Sequence, residues 1–480
     1  MRRATKALFG MNWRGAAVII LLAASLFSFL PVSHPSTASS GETIIQLARY
    51  PAAQLFSPQN GYLYVAGGYA GTIDVFSGTN LVANLSVGRI EPLVNGSNET
   101  YVAGNYPQSI TYDNFSNYVY VSDANPDQFE PGIVSVISGT QVIGSVVSGT
   151  FPEAITYDPQ NHYVYSLSSV PPGRGVVTVI SGLDVLASIS IEYNPGSGAI
   201  LFDPANGYIY ATNTDSGTVS VILGTKLIQS VTVGLEPSNM LWDPENGYVY
   251  VSDAATINET AVPQITILSG VDVVGQIAGL QSPFVYDPKY GVVYASLSDG
   301  LASNFGVIAI VSGTRTIGNL TVEHDQYGGE TIALAYDPFN DFLYESRSVT
   351  VSPLPGPNST RYEMLAISDS AVVGNTTFGG NYPFSINFDP LSQQVYVIAS
   401  DLVVILPPLA LASQTQSSST STQPSSSSSA SSSSQGAGGI LEFPVQPIAA
   451  SALSLVILVS YLVIRNRRNG GRENLIQNFD

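Results

Sequence analysis

The stretch from Asp243 to Asp253 reads Asp-Pro-Glu-Asn-Gly-Tyr-Val-Tyr-Val-Ser-Asp, and versions of it recur along the middle of the chain. Asp followed by Pro opens a type I turn, and Asn-Gly supplies the positive backbone φ that closes a hairpin. The alternating aromatic and β-branched residues that follow are typical of a half-buried strand. The first Asp is therefore predicted to be a turn residue between two strands.

Eight copies of this unit follow one another at intervals of 40 to 56 residues, and a period of about 40 to 50 residues is the sequence signature of a propeller blade. Their first positions are Ser57, Asp113, Asp158, Asp203, Asp243, Asp287, Asp337 and Asp389. Each unit has one strand before the turn and three after it, and four strands make a blade. We therefore predict an all-β, eight-bladed β-propeller of four-stranded antiparallel blades over residues 41–408, or seven blades if one unit is degenerate.

The two ends of the array are incomplete in complementary ways. The last unit offers only three strands, at Phe384 to Phe388, Val395 to Ile398 and Leu402 to Leu406. The segment Thr43 to Ala48 has the pattern of a fourth strand with no preceding three. We expect this N-terminal strand to complete the last blade and close the ring, because closure removes exposed strand edges.

The segments Tyr-Asp-Pro-x-Asn-x-Tyr-Val-Tyr-Val-Ser-Asp and Gly-Thr-Val-Ser-Val-Ile resemble the YVTN-type β-propeller repeats of microbial, notably archaeal, cell-surface and surface-layer (S-layer) proteins. The resemblance covers roughly residues 41–408. It implies the propeller fold and a cell-surface setting, but no particular activity, because the shared residues are turn and core positions. The chain departs from the pattern after Asp287, where Lys-Tyr stands, and after Asp389, where Leu-Ser-Gln-Gln replaces the turn residues.

The composition excludes several classes of chemistry. The 480 residues include no cysteine, so there is no disulfide framework, thiolate metal site or cysteine nucleophile. Asp and Glu number 35 against 16 Lys and Arg, a formal net charge of −19. This balance argues against nucleic acid as a partner. It leaves three interpretations of the acidity: solubility through repulsion, cation binding, or adaptation to acidic surroundings.

Both termini carry targeting signals. Residues 1–40 combine a basic start, an apolar run from Ala16 to Leu30 and small residues, which is typical of a signal peptide; an uncleaved anchor is the alternative. Residues 409–440 are predicted to form a Ser/Thr-rich disordered stalk, and residues 441–464 a transmembrane helix followed at once by Arg465. The basic flank puts the tail, 465–480, in the cytoplasm and the propeller outside the cell membrane.

No catalytic motif occurs in the sequence: phosphate-binding glycine patterns, a His-Glu-x-x-His helix and a nucleophile elbow are all absent. The three histidines, His34, His162 and His324, are too few and too scattered for a multi-histidine metal site. No catalytic residue, metal ligand or cofactor is therefore predicted, with Ca²⁺ left open. The loop carboxylates are interpreted as solvated or loop-capping groups rather than calcium ligands; they are Asp123, Asp127, Glu130, Asp215, Asp253, Glu259 and Asp299.

The connections divide the ring into two faces. Those from first to second and from third to fourth strand are tight and share one face, here called the turn face. The long connections share the other, the loop face; they are Arg89 to Tyr106, Ser122 to Gly132, Ser168 to Gly175, Ser252 to Gln264, Ser298 to Gly306 and Ser346 to Arg361.

On the loop face, the residue before each first strand is predicted to ring the mouth of the channel. From blade 1 to blade 8 these residues are Tyr50, Tyr106, Phe151, Asn194, Glu236, Ser282, Glu330 and Tyr382. Ring closure makes the aromatic members one arc, opposite a polar and acidic arc. Such an arrangement suits a sugar or a cationic ligand, and the alternative is that the aromatics merely plug the channel.

Asn-x-Ser/Thr sequons make this a candidate glycoprotein. They begin at Asn84, Asn95, Asn98, Asn114, Asn258, Asn319, Asn358 and Asn375. Three of them, Asn84, Asn319 and Asn375, fall in or beside predicted fourth strands, the outer edge of a blade. Glycan there would block strand addition by another chain.

The sequence favours a membrane-anchored extracellular propeller that acts as a surface-layer, adhesion or ligand-binding module. Its expected partners are the membrane, through the C-terminal span, and cell-surface glycans or other surface proteins. Two alternatives remain. One is a propeller enzyme of the lactonase or glycan lyase type, with a carboxylate or Ca²⁺ site at the mouth. The other is a structural subunit of a surface lattice.

Overall fold

The computed structural model describes residues 43–47, 51–92, 100–125, 131–170, 173–193, 198–297, 307–321, 329–350, 360–368, 370–379, 381–389 and 392–406. The predicted signal peptide, stalk, transmembrane helix and cytoplasmic tail lie outside these residues. Within the described ranges, no helix has the length and apolar character needed to cross a bilayer.

The described residues form eight four-stranded antiparallel sheets, each a blade, and one separate hairpin. Blades 1 and 2 hold β2 (Ala53–Ser57), β3 (Tyr62–Gly67), β4 (Thr72–Ser77), β5 (Asn80–Ser86), then β8 (Tyr106–Asp113), β9 (Tyr118–Ala124), β10 (Ile133–Ser138) and β11 (Gln141–Val147). The hairpin between them is β6 (Arg89–Pro92) and β7 (Thr100–Ala103), and a short 3-10 helix, Gly68–Ala70, joins β3 to β4. Blades 3 and 4 hold β12 (Phe151–Asp158), β13 (Tyr163–Val170), β14 (Arg174–Ser181), β15 (Asp184–Tyr193), then β16 (Ile200–Asp203), β17 (Tyr208–Asn213), β18 (Thr218–Leu223) and β19 (Lys226–Thr232).

Blades 5 and 6 hold β20 (Met240–Asp243), β21 (Tyr248–Ile257), β22 (Thr260–Ser269), β23 (Asp272–Ala278), then β24 (Leu280–Asp287), β25 (Val292–Leu297), β26 (Val307–Ser312) and β27 (Arg315–Thr321). Blade 7 holds β28 (Gly329–Asp337), β29 (Phe342–Thr350), β30 (Thr360–Ser368) and β31 (Ala371–Gly379). Blade 8 holds β32 (Pro383–Asp389), β33 (Gln394–Ala399), β34 (Leu402–Leu406) and the N-terminal β1 (Thr43–Gln46). The structure thus confirms the all-β, eight-bladed fold and decides against seven blades.

The ring closes as predicted. The N-terminal strand β1 pairs antiparallel with β34, from Thr43 opposite Ile405 to Gln46 opposite Leu402. The N–H of Leu47 donates to the Asp401 carbonyl at 2.9 Å, and the Leu47 side chain is buried. The first strand of each blade contacts the first strands of both neighbours, including β32 against β2. First strands therefore line the inside of a closed ring.

The repeated Asp of each unit is a turn residue, as predicted. In blade 5 the carboxylate of Asp243 accepts the Glu245 N–H at 2.9 Å, and in blade 4 Asp203 accepts the Ala205 N–H at 2.8 Å. Both carboxylates are buried. His162, which replaces the turn glycine in blade 3, has the same left-handed backbone, with φ 64°. Local side-chain-to-backbone bonds therefore fix the turn face.

Neighbouring blades are joined through the tyrosines of the second strands. The fully buried members are Tyr64, Tyr120, Tyr165, Tyr210, Tyr250 and Tyr344. The hydroxyl of Tyr64 donates to the Gly139 carbonyl of blade 2 at 2.9 Å, and that of Tyr250 to the Gly313 carbonyl of blade 6 at 2.7 Å. These tyrosines therefore pack blade against blade.

One predicted loop is wrong. Ser252 to Gln264 was expected to be irregular, but β21 and β22 continue as a regular ladder up to the pair Ile257 and Thr260. Asn258 and Glu259 have φ values of 50° and 63°, which suits a two-residue hairpin turn whose twist matches the strands. Strands β29 and β30 likewise extend the connection of blade 7 to Thr350 and Thr360. Much of the loop face is therefore built from hairpins.

Candidate functional site

The first strands bend where they reach the loop face. Five of the described first strands, β8, β12, β24, β28 and β32, have a register shift within their first residues. A bulge inserts one unpaired residue, kinks the strand and changes the direction of the side chains beside it. In blades 2, 3 and 8 the bulge follows an aromatic-Pro pair. The mouth of the ring is therefore built from kinked strand ends.

Tyr106, the mouth residue of blade 2, has an aromatic partner. Its ring centroid lies 4.6 Å from that of Tyr69, in the short 3-10 helix of blade 1. Burial, followed by a hydrogen bond to the Tyr69 hydroxyl, raises the pKa of Tyr106 to about 12. Tyr69 is 71% exposed, so the pair presents an aromatic surface to solvent.

Tyr382, the mouth residue of blade 8, is also paired. It meets Tyr362 of blade 7 edge-to-face, with ring centroids 5.4 Å apart, and 45% of its surface is exposed. Burial, followed by the negative charge of Glu330, raises the pKa of Tyr382. The exposed carboxylate of Glu330 therefore acts on Tyr382 at the mouth of the neighbouring blade, where the aromatic and acidic arcs meet.

The other predicted mouth residues have varied positions. Phe151 is half-buried opposite Ser169. Glu236 is exposed, with φ 50°. Tyr50 and Asn194 lie outside the described residues.

Ser282 does not occupy the mouth position of blade 6. It lies in the bulge of β24, where its hydroxyl accepts the Asn239 amide at 3.0 Å. The position that corresponds to Phe151 is held by Leu280, which is buried. The cause is that Pro283 comes two residues later along the strand than Pro152 does in blade 3, counted from the turn Asp of each blade.

Beneath the mouth lie buried polar side chains at one repeated position of the second strand. Asp123, Asn213, Asp253 and Arg347 hold it in blades 2, 4, 5 and 7, and all are nearly inaccessible. The interpretation of Asp123 and Asp253 as solvated or loop-capping groups is therefore wrong. The reason is that the second strand continues past them and the chain leading into the first strand of the same blade, at Gly104 and Gly234, covers them.

Asp123 shows what this burial does. The Ser135 hydroxyl donates to its Oδ2, and burial raises its pKa to about 8. The same cause raises the pKa of Asp253 to about 6. Because burial disfavours the charged form, Asp123 stays protonated to a higher pH than an exposed aspartate does.

Blade 7 holds an ion pair at the same level. Nε and Nη2 of Arg347 lie 2.8 and 2.6 Å from Oε1 of Glu363, and Nη2 of Arg361 lies 3.7 Å from Oε2 of Glu363. Glu345, fully buried nearby, accepts the Thr331 hydroxyl at 2.6 Å, and burial raises its pKa to about 7. The sequence offered a signal for these charges in Glu345, which stands at a second-strand position where the other blades carry Val, Ala or Ser.

The remaining candidate residues are placed as follows. Of the loop carboxylates, Asp215 and Glu259 are exposed, and Asp127, Glu130 and Asp299 lie outside the described residues. Asn84, Asn114, Asn258, Asn319 and Asn375 are exposed, and Asn95, Asn98 and Asn358 lie outside the described residues. In the described part of the chain, no three His, Asp or Glu side chains are grouped as metal ligands.

Comparison with solved structures gives β-propellers. Hydrazine synthase of Kuenenia stuttgartiensis is 15% identical over 78% of this chain and 98% of its own, with a TM-score of 0.45. The WD40 propeller domain of Doa1 is 10% identical, covering 78% and 97%, with a TM-score of 0.41. Virginiamycin B lyase of Staphylococcus aureus is 10% identical, covering 76% and 98%, with a TM-score of 0.43. No family model and no curated protein matches the sequence. The likeness is one of fold.

Proposed function

We propose that this chain is a membrane-anchored extracellular propeller of the YVTN-repeat type that binds a ligand at the mouth of its loop face. The proposal rests on the exported and anchored organisation that the terminal sequences predict and on the repeat pattern from Ser57 to Asp389. In this role the propeller is a surface-layer, adhesion or ligand-binding module held away from the membrane by the stalk.

The observation that carries the proposal is the pairing of exposed aromatic rings with a carboxylate at the mouth. Tyr362 and Tyr382 meet edge-to-face, and the charge of Glu330 acts on Tyr382. A second aromatic pair, Tyr69 and Tyr106, lies two blades further round the ring. Aromatic faces bind the apolar face of a sugar ring or a cation, and a carboxylate accepts sugar hydroxyls or pairs with the cation.

The test is a binding screen on the fragment 41–408, which contains every strand of the eight blades. The probes are a panel of oligosaccharides and tetramethylammonium, and the readout is the ligand-induced rise in Tm. Changing Tyr106→Ala together with Tyr382→Ala is expected to abolish the rise, because the stacking surfaces are removed.

A matched control pair comes from the opposite face. Phe115 and Phe339 are exposed by 71% and 55%, lie in Asp-containing turns and also contact neighbouring rings. Phe115→Ala with Phe339→Ala is expected to keep the ligand-induced rise. If no probe raises Tm, or if the rise survives in the tyrosine double variant, the mouth is not the binding site.

A further inference from the structure

The outer strands carry a repeated exposed apolar pair. In each of blades 1 to 7 the second and third residues of the fourth strand are neighbouring side chains of which at least one is large, apolar and 39–55% exposed. They are Leu81 and Val82, Val142 and Ile143, Val185 and Leu186, Leu227 and Ile228, Val273 and Val274, Thr316 and Ile317, and Val372 and Val373. Together these residues form a belt around the circumference near the turn face. Exposed apolar surface that recurs in this way marks an interaction site.

A bulge accompanies the apolar pair in every one of these strands. In blade 3 Val179 pairs with Ala187 and Ile180 with Val185, so Leu186 is the extra residue. In blade 4 Ile228 is the extra residue, between Leu227 and Gln229. Bulges at an edge hinder ladder formation with another strand. Contacts of this belt must therefore be made by side chains.

Three sequons occupy one equivalent position just after this bulge. Asn84 lies opposite Asp74, Asn319 opposite Ala309 and Asn375 opposite Leu365, each two residues beyond the bulged residue. Glycans there would cover the apolar pairs of blades 1, 6 and 7. In blades 2 to 5 the same position holds Ser145, Ser188, Ser230 and Gln276. The ring thus has a run of four neighbouring edges without sequons, those of blades 2 to 5, and blades 3 and 4 are at its centre.

Opposite charges stand at the start of these central edges. The first residue of the fourth strand is Asp184 in blade 3 and Lys226 in blade 4, and both are exposed. Lysine is scarce here: Lys226 and Lys289 are the two lysines between residues 41 and 440. At the same strand position, blade 4 has an exposed lysine and blade 3 an exposed aspartate, each beside an apolar pair. The combined edge of these two blades is therefore self-complementary, because it can pair with the same edge of a second copy.

We propose that two copies of this chain associate through the outer edges of blades 3 and 4. The two copies are related by a two-fold axis that is parallel to the ring axis and lies at the boundary between these blades. Blade 3 of each copy therefore faces blade 4 of the other, which gives two equivalent contacts. Fourth strands all run from the turn face to the loop face, so the facing strands are parallel and Asp184 of each copy meets Lys226 of its partner. The apolar side chains of Val185, Leu186, Leu227 and Ile228 form the centre of the contact, with the charges at its rim.

The test uses the full chain in detergent micelles, with the protein mass measured by sedimentation over a range of concentrations. The unmodified chain is expected to dimerise. Lys226→Glu is expected to raise the Kd of the dimer at least tenfold, because Asp184 then faces a like charge in both contacts. Adding Asp184→Lys to Lys226→Glu restores opposite charges and is expected to restore the dimer.

A zero-length carbodiimide cross-linker gives a second readout. It joins a carboxylate to an amine only when the two are in contact, and is expected to link Asp184 of one copy to Lys226 of another. Arg315→Glu, at the first position of the outer strand in blade 6, is the matched control and is expected to leave the Kd unchanged.

A monomer at all concentrations, or a dimer that Lys226→Glu leaves intact, would overturn the proposal. Each variant is first compared with the unmodified chain in Tm, so that loss of the dimer is not loss of the fold. The proposal is independent of ligand binding at the mouth, since a monomeric variant is expected to keep its ligand-induced rise in Tm.

Discussion

At the scale of single residues, the unusual feature is the set of buried carboxyls beneath the loop face. Burial raises the pKa of Asp123 to about 8, of Glu345 to about 7 and of Asp253 to about 6. In an unfolded chain each would titrate near pH 4. The folded state therefore holds protons that the unfolded state releases between about pH 4 and pH 8.

This difference predicts that the free energy of unfolding falls as pH rises from 4 to 8. The unfolded state binds fewer protons in this window, so raising the pH favours unfolding. Asp123 alone is expected to cost about 1.4 kcal/mol per pH unit between its unfolded and folded pKa values. Chemical denaturation at several pH values measures the effect.

Asp123→Asn is expected to flatten that dependence, because the amide has the shape of the protonated carboxyl and does not titrate. Asp215→Asn, at an exposed site, is the control and is expected to leave the curve unchanged. A curve for Asp123→Asn that is parallel to the parent would show that Asp123 is not protonated in the folded state. The predicted dependence also agrees with the interpretation of the acidic composition as suited to acidic surroundings.

At the scale of elements, the approach to the first strand of blades 2 and 3 depends on a close crossing over the second strand of the same blade. Before β8 the chain crosses at Gly104, where a Cβ would lie 2.8 Å from Cβ of Asp123 and 2.9 Å from its carbonyl oxygen. Before β12 it crosses at Gly149, where a Cβ would lie 2.9 Å from the Ser168 hydroxyl. Because glycine has no Cβ, the backbone at these positions can lie directly over the buried side chain and then continue into the aromatic-Pro pair at the mouth; another residue would clash there.

Two glycines with the same backbone conformation allow the free-energy cost of crowding to be distinguished from the cost of backbone strain. Gly104 has φ 61° and is crowded, whereas Gly78, in the turn before β5, has φ 57° and open space around it. Gly78→Ala is expected to cost about 1 to 2 kcal/mol, from the left-handed backbone alone. Gly104→Ala is expected to cost about 1 to 3 kcal/mol more, because neighbouring atoms must move. Equal losses in denaturant unfolding would show that the crossing tolerates a methyl group.

At the scale of the whole molecule, stability depends on closing a ring from elements at opposite ends of the propeller. The contacts across the closure are β1 with β34 within blade 8 and β32 with β2 between blades 8 and 1. A buried cluster holds Leu47, Leu63 and Phe76 together with Tyr396 and Val403. The last blade is therefore incomplete until the N-terminal strand has joined it.

Removing the closing strand is expected to destabilise the propeller. Deleting residues 41–47 from the fragment 41–408 loses the β1–β34 ladder and the burial of Leu47, which alone contributes about 2 to 3 kcal/mol. The exposed edge of β34 is also expected to promote aggregation. Thermal unfolding and light scattering measure the two effects. The control extends the fragment to residue 440, which adds the stalk and is expected to leave Tm unchanged.

Sequence alone was sufficient for everything that depends on short-range order. The Asp-Pro-x-Asn-Gly turn, the alternation after it and the spacing of the copies predicted the strands, the blade and the number of blades. The closure of the ring could also be predicted, because the three strands around Phe384, Val395 and Leu402 lacked a fourth strand and the segment at Thr43 had the pattern of one. These are local patterns whose physical cause, backbone preference and alternating burial, acts within a few residues.

The tertiary structure decided which residues that are distant in the sequence come into contact, within a blade and between neighbouring blades. Asp123 and Asp253 have the sequence of exposed loop acids, but they are buried because the chain crosses over them at Gly104 and Gly234, just before the first strand of the same blade. Tyr69 and Tyr362 became part of the mouth because each lies against the first strand of the next blade. The mouth position of blade 6 shifted to Leu280 because a bulge moved the register. The arc of edges without sequons exists only once the ring has brought blades 2 to 5 side by side.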